Sequence, residues 1–171
     1  MKNKFIKTYM DVAESFAKLS SAVRLQVGAI VVKDDRIIRI GYNGMPSGWD
    51  NCCEERHGYT FTIHRELLDE DVQEEYPHED ENGYAYKLKT KPEVLHAESN
   101  AVAKLAKSSE SGLGATMFVT HAPCIDCAKL VYQSGIATVY YKNDYRSTQG
   151  IEFLTKSGVK VIHHHTLEEL P

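Results

Sequence analysis

Two short motifs constrain the fold of this chain more than any other feature. The first is His96-Ala97-Glu98, and the second, Pro123-Cys124-Ile125-Asp126-Cys127, begins 25 residues after Glu98. An imidazole and two thiolates can fill three positions of a tetrahedral zinc site, which leaves the fourth for water, as in catalytic sites. Two thiolates and a neutral imidazole do no more than balance the charge of Zn²⁺, so the ion still acts as a Lewis acid on a bound water molecule. The fold is therefore expected to bring both motifs to one zinc ion.

Both motifs are predicted to lie at the amino ends of helices. Apolar residues at helical spacing follow His96, and Pro123 stands where a helix can begin. The helix dipole and free backbone N–H groups stabilise thiolates at such a position. The three-residue spacing puts Cys124 and Cys127 on one helix face. Glu98 lies in the first turn of its helix, where it is expected to reach the zinc-bound water as the catalytic residue without being a ligand.

The rest of the chain alternates predicted helices and strands. Helices are predicted over 3–18, within 63–75, from 96 to before 112, and over 123–135, 148–156 and 166–170. Strands are predicted over 27–32, 37–42, 116–120, 136–141 and 159–162. Residues 49–93 have weak periodicity and are expected to form an inserted segment. This alternation predicts an α/β fold with parallel strand pairs.

Composition narrows the class of protein. The 171 residues are expected to form one domain, 1–171, and the formal net charge of -4 argues against general affinity for nucleic acid. The acidic run over 66–81 is interpreted as a solvated face. No signal peptide or membrane span is predicted. Two cysteines at metal spacing and two adjacent ones favour a reducing, cytoplasmic setting.

Longer stretches around the motifs carry a family resemblance. His96-Ala97-Glu98-Ser99-Asn100-Ala101 and Ala122-Pro123-Cys124-Ile125-Asp126-Cys127-Ala128 resemble the cytidine deaminase superfamily, whose H-x-E…P-C-x-x-C signature they contain. Val27-Gly28-Ala29-Ile30-Val31 and Gly41-Tyr42-Asn43-Gly44-Met45-Pro46-Ser47-Gly48 narrow the resemblance to deoxycytidylate (dCMP) deaminases, including those of bacteriophages. It extends from about residue 5 to residue 162. The resemblance implies a three-layer α/β/α cytidine deaminase-like fold with a mixed five-stranded sheet.

The resemblance also implies an activity and its regulation. The implied activity is the hydrolytic deamination of dCMP to dUMP, which supplies thymidylate synthesis. The implied form is a homohexamer that dCTP activates and dTTP inhibits, with Mg²⁺ accompanying the nucleotides. Asn43 would contact the substrate sugar, and the effector site would include Arg24, Gly44, Met45 and Pro46.

Other substrate contacts are predicted from their positions along the chain. The backbone N–H of Ala97 and the carbonyl of Thr120 or His121 flank the metal ligands and are candidates for binding the base edge. Candidates for the 5′-phosphate are the donors Arg24, Lys142, Tyr145 and Arg146.

Two positions depart from the family pattern. Ser99 stands where many relatives carry Leu, and no cysteine lies near 20–22, where a phage relative has one for a second zinc. A structural zinc at Cys52, Cys53 and His57 therefore stays open.

Two alternative functions also stay open. One is deamination of another cytosine nucleoside or nucleotide, or of a base in RNA, although the acidic balance speaks against RNA. The other is a binding module with a structural zinc, which would need a fourth protein ligand.

Overall fold

The structure is a computed structural model that describes residues 1–60 and 62–164. Its strands are β1 (Gly28–Lys33), β2 (Arg36–Tyr42), β3 (Glu54–Gly58), β4 (His78–Glu79), β5 (Ala85–Thr90), β6 (Thr116–His121), β7 (Thr138–Asn143) and β8 (Lys160–His163). Its α-helices are α1 (Asn3–Ala17), α2 (Glu70–Glu75), α3 (Ala97–Ala106), α4 (Ile125–Gln133) and α5 (Gln149–Lys156), and a 3-10 turn spans Arg65–Leu67. None of the helices in these ranges is long and apolar enough to cross a membrane.

Five strands form a mixed sheet in the order β2-β1-β6-β7-β8. β1 is antiparallel to both β2 and β6, whereas β6, β7 and β8 run parallel to one another. The β1–β2 connection is a two-residue turn in which Asp34 and Asp35 have φ of 49° and 57°. Positive φ at both central residues matches the right-handed twist of the flanking strands. The predicted hairpin and the mixed five-stranded sheet are confirmed.

Side chains of the large sheet alternate between two helical layers, because neighbouring residues of a strand point to opposite faces. The face that packs against α1 carries Ile30, Val32, Phe118 and Tyr140. The face that packs against α3, α4 and α5 carries Ala29, Val31, Met117, Val119 and Val139. Near-complete burial on both faces explains why these strands are continuously apolar. The predicted three-layer α/β/α fold is confirmed.

Residues 49–93 contain a second sheet that the sequence analysis did not predict. Its three antiparallel strands have the order β3-β5-β4. The helix predicted within 63–75 is present only as a 3-10 turn and the short α2. The strands were missed because β4 has two residues and the partners β3 and β5 are far apart along the chain. The helix predicted over 166–170 lies outside the described residues.

The strand ends that lead to the two motifs lie at one edge of the large sheet. Because β1 is antiparallel to β2 and β6, its amino end meets their carboxyl ends, and β7 ends at the same edge. The segment from β5 leads into α3, and β6 leads into α4, so both helices begin at this edge. Ligand sites of open α/β sheets lie at the carboxyl ends of strands.

Candidate active site and metal centre

Two of the predicted metal ligands are the capping residues of helices. His96 precedes α3 and Cys124 precedes α4, and both have extended backbone angles. Cys127 lies in the first turn of α4 and is buried. The helix amino ends carry partial positive charge, which stabilises thiolates. The predicted position of both motifs at helix amino ends is therefore confirmed.

The spacing of the three donor atoms fits a zinc ion. His96 Nδ1 lies 3.3 Å from Cys127 Sγ and 3.6 Å from Cys124 Sγ, and all three donors lie within 4.8 Å of one another. Tetrahedral zinc, with bonds of about 2.3 Å to sulfur and about 2.0 Å to nitrogen, separates nitrogen and sulfur ligands by about 3.5 Å. The structure thus brings the predicted ligand set to a distance that one zinc ion can bridge.

The two thiols have different acidities in this arrangement. Hydrogen bonds from Cys127 and His96 lower the pKa of Cys124 to about 4. The pKa of Cys127 is raised, because its hydrogen is engaged with Cys124 and because it is buried. A zinc ion bound to both sulfurs would ionise both thiols, since coordination deprotonates a thiol.

Glu98 is a buried carboxyl group beside the three donors. It is 4% exposed, and burial raises its pKa to about 7 because a buried carboxylate loses its hydration. The helix that carries it lies directly on β2: a Cβ atom on Gly41 would be 2.1 Å from the carbonyl oxygen of Ala97. Asn100 Nδ2 also donates to the Tyr42 carbonyl at 2.8 Å. These contacts set the position of the first turn of α3.

A cavity of about 830 Å³ opens above these residues. His96, Ala97 and Glu98 line it on one side. His121, Tyr145 and Arg146 line it as well, so the structure brings these predicted substrate residues to the metal ligands. The pKa of His121 is lowered by burial, so its imidazole is neutral at pH 7.

Asn43 lines both this cavity and a second one of about 470 Å³. Its Oδ1 accepts a hydrogen bond from Val27 N at 2.7 Å, and its Nδ2 donates to the Leu25 carbonyl at 2.8 Å. The second cavity is lined by the predicted effector residues Gly44, Met45 and Pro46, whereas Arg24 lines the first. The structure thus separates Arg24 from the other three residues.

Comparison with known proteins agrees with this geometry. Residues 3–143 match the family described as "Cytidine and deoxycytidylate deaminase zinc-binding region". The chain belongs to the cytidine and deoxycytidylate deaminase family.

Individual members of this family align over most of the chain. The deoxycytidylate deaminase of Enterobacteria phage T4 is 30% identical over 167 residues, which covers 90% of this chain and 86% of that protein. The deoxycytidylate deaminase of Mycobacterium phage D29 is 33% identical over 139 residues, 80% of this chain and 92% of that protein. The crystal structure of the cyanophage S-TIM5 dCMP deaminase in complex with dCMP and dUMP superposes with a TM-score of 0.72 at 42% identity, over 94% of this chain and 97% of that one.

Family membership makes the protein a zinc-binding deaminase and so an enzyme.

In the deaminase site, Thr120 does not line the cavity: its carbonyl accepts a hydrogen bond from Asn143 Nδ2 at 2.8 Å. The placement of Lys142 near the phosphate was wrong, since its ammonium pairs with Glu14 of α1. Lys142 follows Tyr140 by two residues and so points to the α1 face of the sheet, away from the deaminase site.

The second zinc that the sequence left open at Cys52, Cys53 and His57 is not supported by the part of the chain that the structure describes. Within residues 1–60 and 62–164, His96, Cys124 and Cys127 are the only cluster of three or more metal-ligating side chains. Cys52 Sγ donates to the Glu54 carbonyl at 3.2 Å, and Cys53 is buried with its sulfur 3.3 Å from Ser21 Oγ. These two thiols are therefore not part of a three-donor cluster in the described residues.

Two basic residues of the cavity, Lys89 in β5 and Lys91 just after it, were not predicted from the sequence. Both belong to the segment 49–93, whose weak periodicity left its path unpredicted. The available signal was the position of this basic pair only a few residues before His96.

Proposed function

We propose that this protein is a zinc-dependent dCMP deaminase that converts dCMP and water to dUMP and ammonia. The observation that carries the proposal is the buried carboxyl of Glu98 beside the three-donor set of His96, Cys124 and Cys127, at one end of the large cavity. A cytosine ring that enters this cavity meets a proton carrier and a metal together. The named activity of the phage relatives supports the choice of dCMP.

In the proposed mechanism Glu98 moves the protons. When bound, zinc supplies the Lewis acidity that brings the pKa of a water molecule toward neutrality. Glu98 accepts a proton from the attacking water and delivers it to N3 of the cytosine ring as the water oxygen bonds to C4. It then carries the second water proton to the amino group, the C4–N4 bond breaks, and ammonia leaves. The product ring is uracil, so atoms and charges balance.

Backbone and side-chain groups around the cavity are proposed to hold the base and sugar. The backbone N–H of Ala97 and the ring of neutral His121 face the cavity and provide polar contacts to the base. Asn43 uses one N–H and one lone pair to hold the 25–27 segment, so its second N–H is left for the sugar. Tyr145 and Arg146, from the loop after β7, are proposed to contact the 5′-phosphate.

The test is a turnover assay combined with metal analysis. Purified protein is expected to contain about one zinc per chain and to lower the absorbance of the cytosine ring of dCMP as uracil forms. Deoxycytidine, which has no phosphate, is the matched control substrate and is expected to react far more slowly. A zinc-loaded protein that leaves dCMP unchanged contradicts the proposal.

Regulation by nucleotides is a second part of the proposal. The cavity of about 470 Å³ at Gly44, Met45 and Pro46 supports a separate effector site, and Asn43 lines both this cavity and the active-site cavity. We propose that dCTP, with Mg²⁺, activates and that dTTP inhibits a homohexamer. Each nucleotide is added in turn to the dCMP assay, and sedimentation measures the assembly. An unchanged rate with both nucleotides refutes the regulation, and a monomer refutes the hexamer.

We also propose that the protein acts in the cytoplasm, which would be that of the host for a phage-encoded enzyme. All four cysteines are free thiols. Thiolate ligands need a compartment in which they stay reduced.

A further inference from the structure

Thr120, near the end of β6, has a buried hydroxyl group with two hydrogen-bond partners. The residue is 3% exposed, and its Oγ1 accepts a hydrogen bond from the backbone N–H of Gly28 at 3.1 Å. The same oxygen lies 3.2 Å from Nδ1 of His121. A hydroxyl group has two lone pairs and one hydrogen. Gly28 therefore uses one lone pair, and the hydrogen still needs an acceptor.

The acceptor for that hydrogen is Nδ1 of His121. Among residues 1–60 and 62–164, the Thr120 hydroxyl makes no hydrogen bond besides those to Gly28 and His121. Because a buried donor without an acceptor is costly, the hydrogen is directed to the imidazole nitrogen. The imidazole is neutral, since burial lowers the pKa of His121. A neutral imidazole whose Nδ1 accepts a hydrogen bond carries its own hydrogen on Nε2.

The Nε2–H group of His121 is directed to the active-site cavity. Nδ1 and Nε2 point away from each other across the ring, and Nδ1 faces Thr120, which does not line the cavity. His121 does line it, together with His96 and Cys124. Nε2 forms no hydrogen bond with any protein group that the structure describes. The ring therefore offers the cavity a donor that a bound molecule can satisfy.

The backbone on both sides of His121 is held by neighbouring elements. Asn143 of β7 donates from Nδ2 to the Thr120 carbonyl at 2.8 Å, and its own carbonyl accepts the N–H of Ala122 at 2.8 Å. Gly28 is fixed by α1, because a Cβ atom there would be 2.0 Å from a carbonyl oxygen of that helix. The position of the imidazole is therefore set before substrate binds.

We propose that Thr120 is a positioning residue that holds His121 as its Nε2–H tautomer, and that this donor binds an oxygen of the base or sugar of the substrate. The inference rests on the proposed function, which places His121 beside the base and sugar. A donor selects an acceptor, so His121 does not contact the amino group that leaves C4. Because the tautomer is already fixed in the free enzyme, binding requires no rearrangement of the ring.

The first test observes the tautomer directly in the zinc-loaded enzyme. Two-bond ¹H–¹⁵N correlation spectra of protein with ¹⁵N-labelled histidine distinguish the two neutral tautomers, and His121→Leu identifies the His121 signals by their loss. Wild type and Thr120→Ser, which keeps the hydroxyl, are expected to show the Nε2–H tautomer. Thr120→Val, which keeps the shape without the hydroxyl, is expected to give a mixture of tautomers. An Nδ1–H tautomer in the wild type, or an unchanged tautomer in Thr120→Val, overturns the inference.

The second test determines whether Thr120 acts through His121. Thr120→Val is expected to lower kcat/KM for dCMP about three- to tenfold, because one hydrogen bond to substrate is weakened. In the His121→Leu background the same change is expected to lower it less than about twofold, since the ring that Thr120 positions is gone. Equal losses in both backgrounds would mean that Thr120 only supports the fold, and would overturn the inference.

Two controls separate the possible failures. Zinc content and thermal unfolding verify that each variant is folded, and Thr120→Ala replaces Thr120→Val if the latter does not fold. If the zinc-loaded wild type does not turn over dCMP, the proposed function fails, and the spectra still decide the tautomer. Calorimetric titration with dUMP then decides the contact to substrate: weaker binding by Thr120→Val than by Thr120→Ser supports it, and equal or absent binding overturns it.

Discussion

Gly150 of α5 lies directly against the backbone of Pro123 in the cysteine motif. A Cβ atom on Gly150 would be 1.9 Å from the Pro123 carbonyl oxygen and 2.9 Å from the carbonyl carbon of Cys124. No side chain fits there without moving α5 or the turn that carries Cys124. The helix after the motif therefore buttresses the position of a predicted metal ligand.

Gly150→Ala is expected to weaken zinc binding and to lower the free energy of unfolding by about 1–3 kcal/mol, the usual cost of overpacking. Zinc retention during dialysis against a weak chelator and urea denaturation measure the two effects. Thr155→Ala, at an exposed position of the same helix, is the control. Wild-type zinc retention and stability in Gly150→Ala would show that the turn yields without cost.

Glu98→Gln is expected to keep its zinc and to lower kcat by about 10²- to 10⁴-fold, the usual contribution of a general acid–base group. The amide has the shape of the carboxyl group but cannot carry a proton between water and the ring. Glu93→Gln, an exposed carboxylate ahead of the same helix, is expected to keep the wild-type rate. Near-normal turnover in Glu98→Gln would remove Glu98 from the mechanism.

Removal of zinc by a chelator is expected to abolish activity and to lower the midpoint of thermal unfolding by roughly 10 °C. A ligand present at a thousand times its dissociation constant stabilises the fold by about 4 kcal/mol, and each kcal/mol is about 2–4 °C for a protein of this size. Added Zn²⁺ should restore both, and Mg²⁺ should not, because thiolates are poor ligands for magnesium. An apo-protein with full activity would contradict a catalytic role for zinc.

Glu54→Ala is expected to lower the free energy of unfolding by about 1–3 kcal/mol. The backbone N–H groups of Val23 and Arg24 would lose their acceptor, Oε1 of the buried Glu54. Glu54→Gln keeps one oxygen acceptor and should lose less. Urea denaturation provides the measurement, with Glu55→Ala, an exposed neighbour in β3, as the control. Equal stability of Glu54→Ala and Glu55→Ala would mean that water replaces the carboxylate at these donors.

Local patterns were sufficient for the centre of the site. The helix starts at His96 and Cys124 could be predicted because their signals are local: Pro123 and the apolar spacing that follows each motif lie within a few residues of the helix start. The strands of the large sheet were found for the same reason, since burial on both faces leaves a continuous apolar run.

Residues whose role depends on direction or distant pairing could not be placed in this way. Lys142 lies near the carboxyl end of the apolar strand β7, at the sheet edge where the site is. Side chains alternate along a strand, so its ammonium points to Glu14 on the α1 face. Lys89 and Thr90 line the cavity because β5 pairs with β3, a strand more than thirty residues earlier, in the register that places Glu54 opposite Thr90. Neither the sheet face that a side chain occupies nor the partner of a strand can be predicted from a short stretch of sequence.

The sequence by itself determined the chemistry: a histidine, two cysteines and a glutamate at spacings that suit zinc and proton transfer, on helices and strands with clear periodicity. Only the tertiary structure decided which cations line the cavity beside that chemistry and that Asn43 lines two cavities. It also decided that, within the described residues, Cys52, Cys53 and His57 do not form a second three-donor metal site. The reason is physical. A motif holds its residues within a few turns of one helix, whereas a cavity wall is assembled from segments whose contacts form only when the chain is folded.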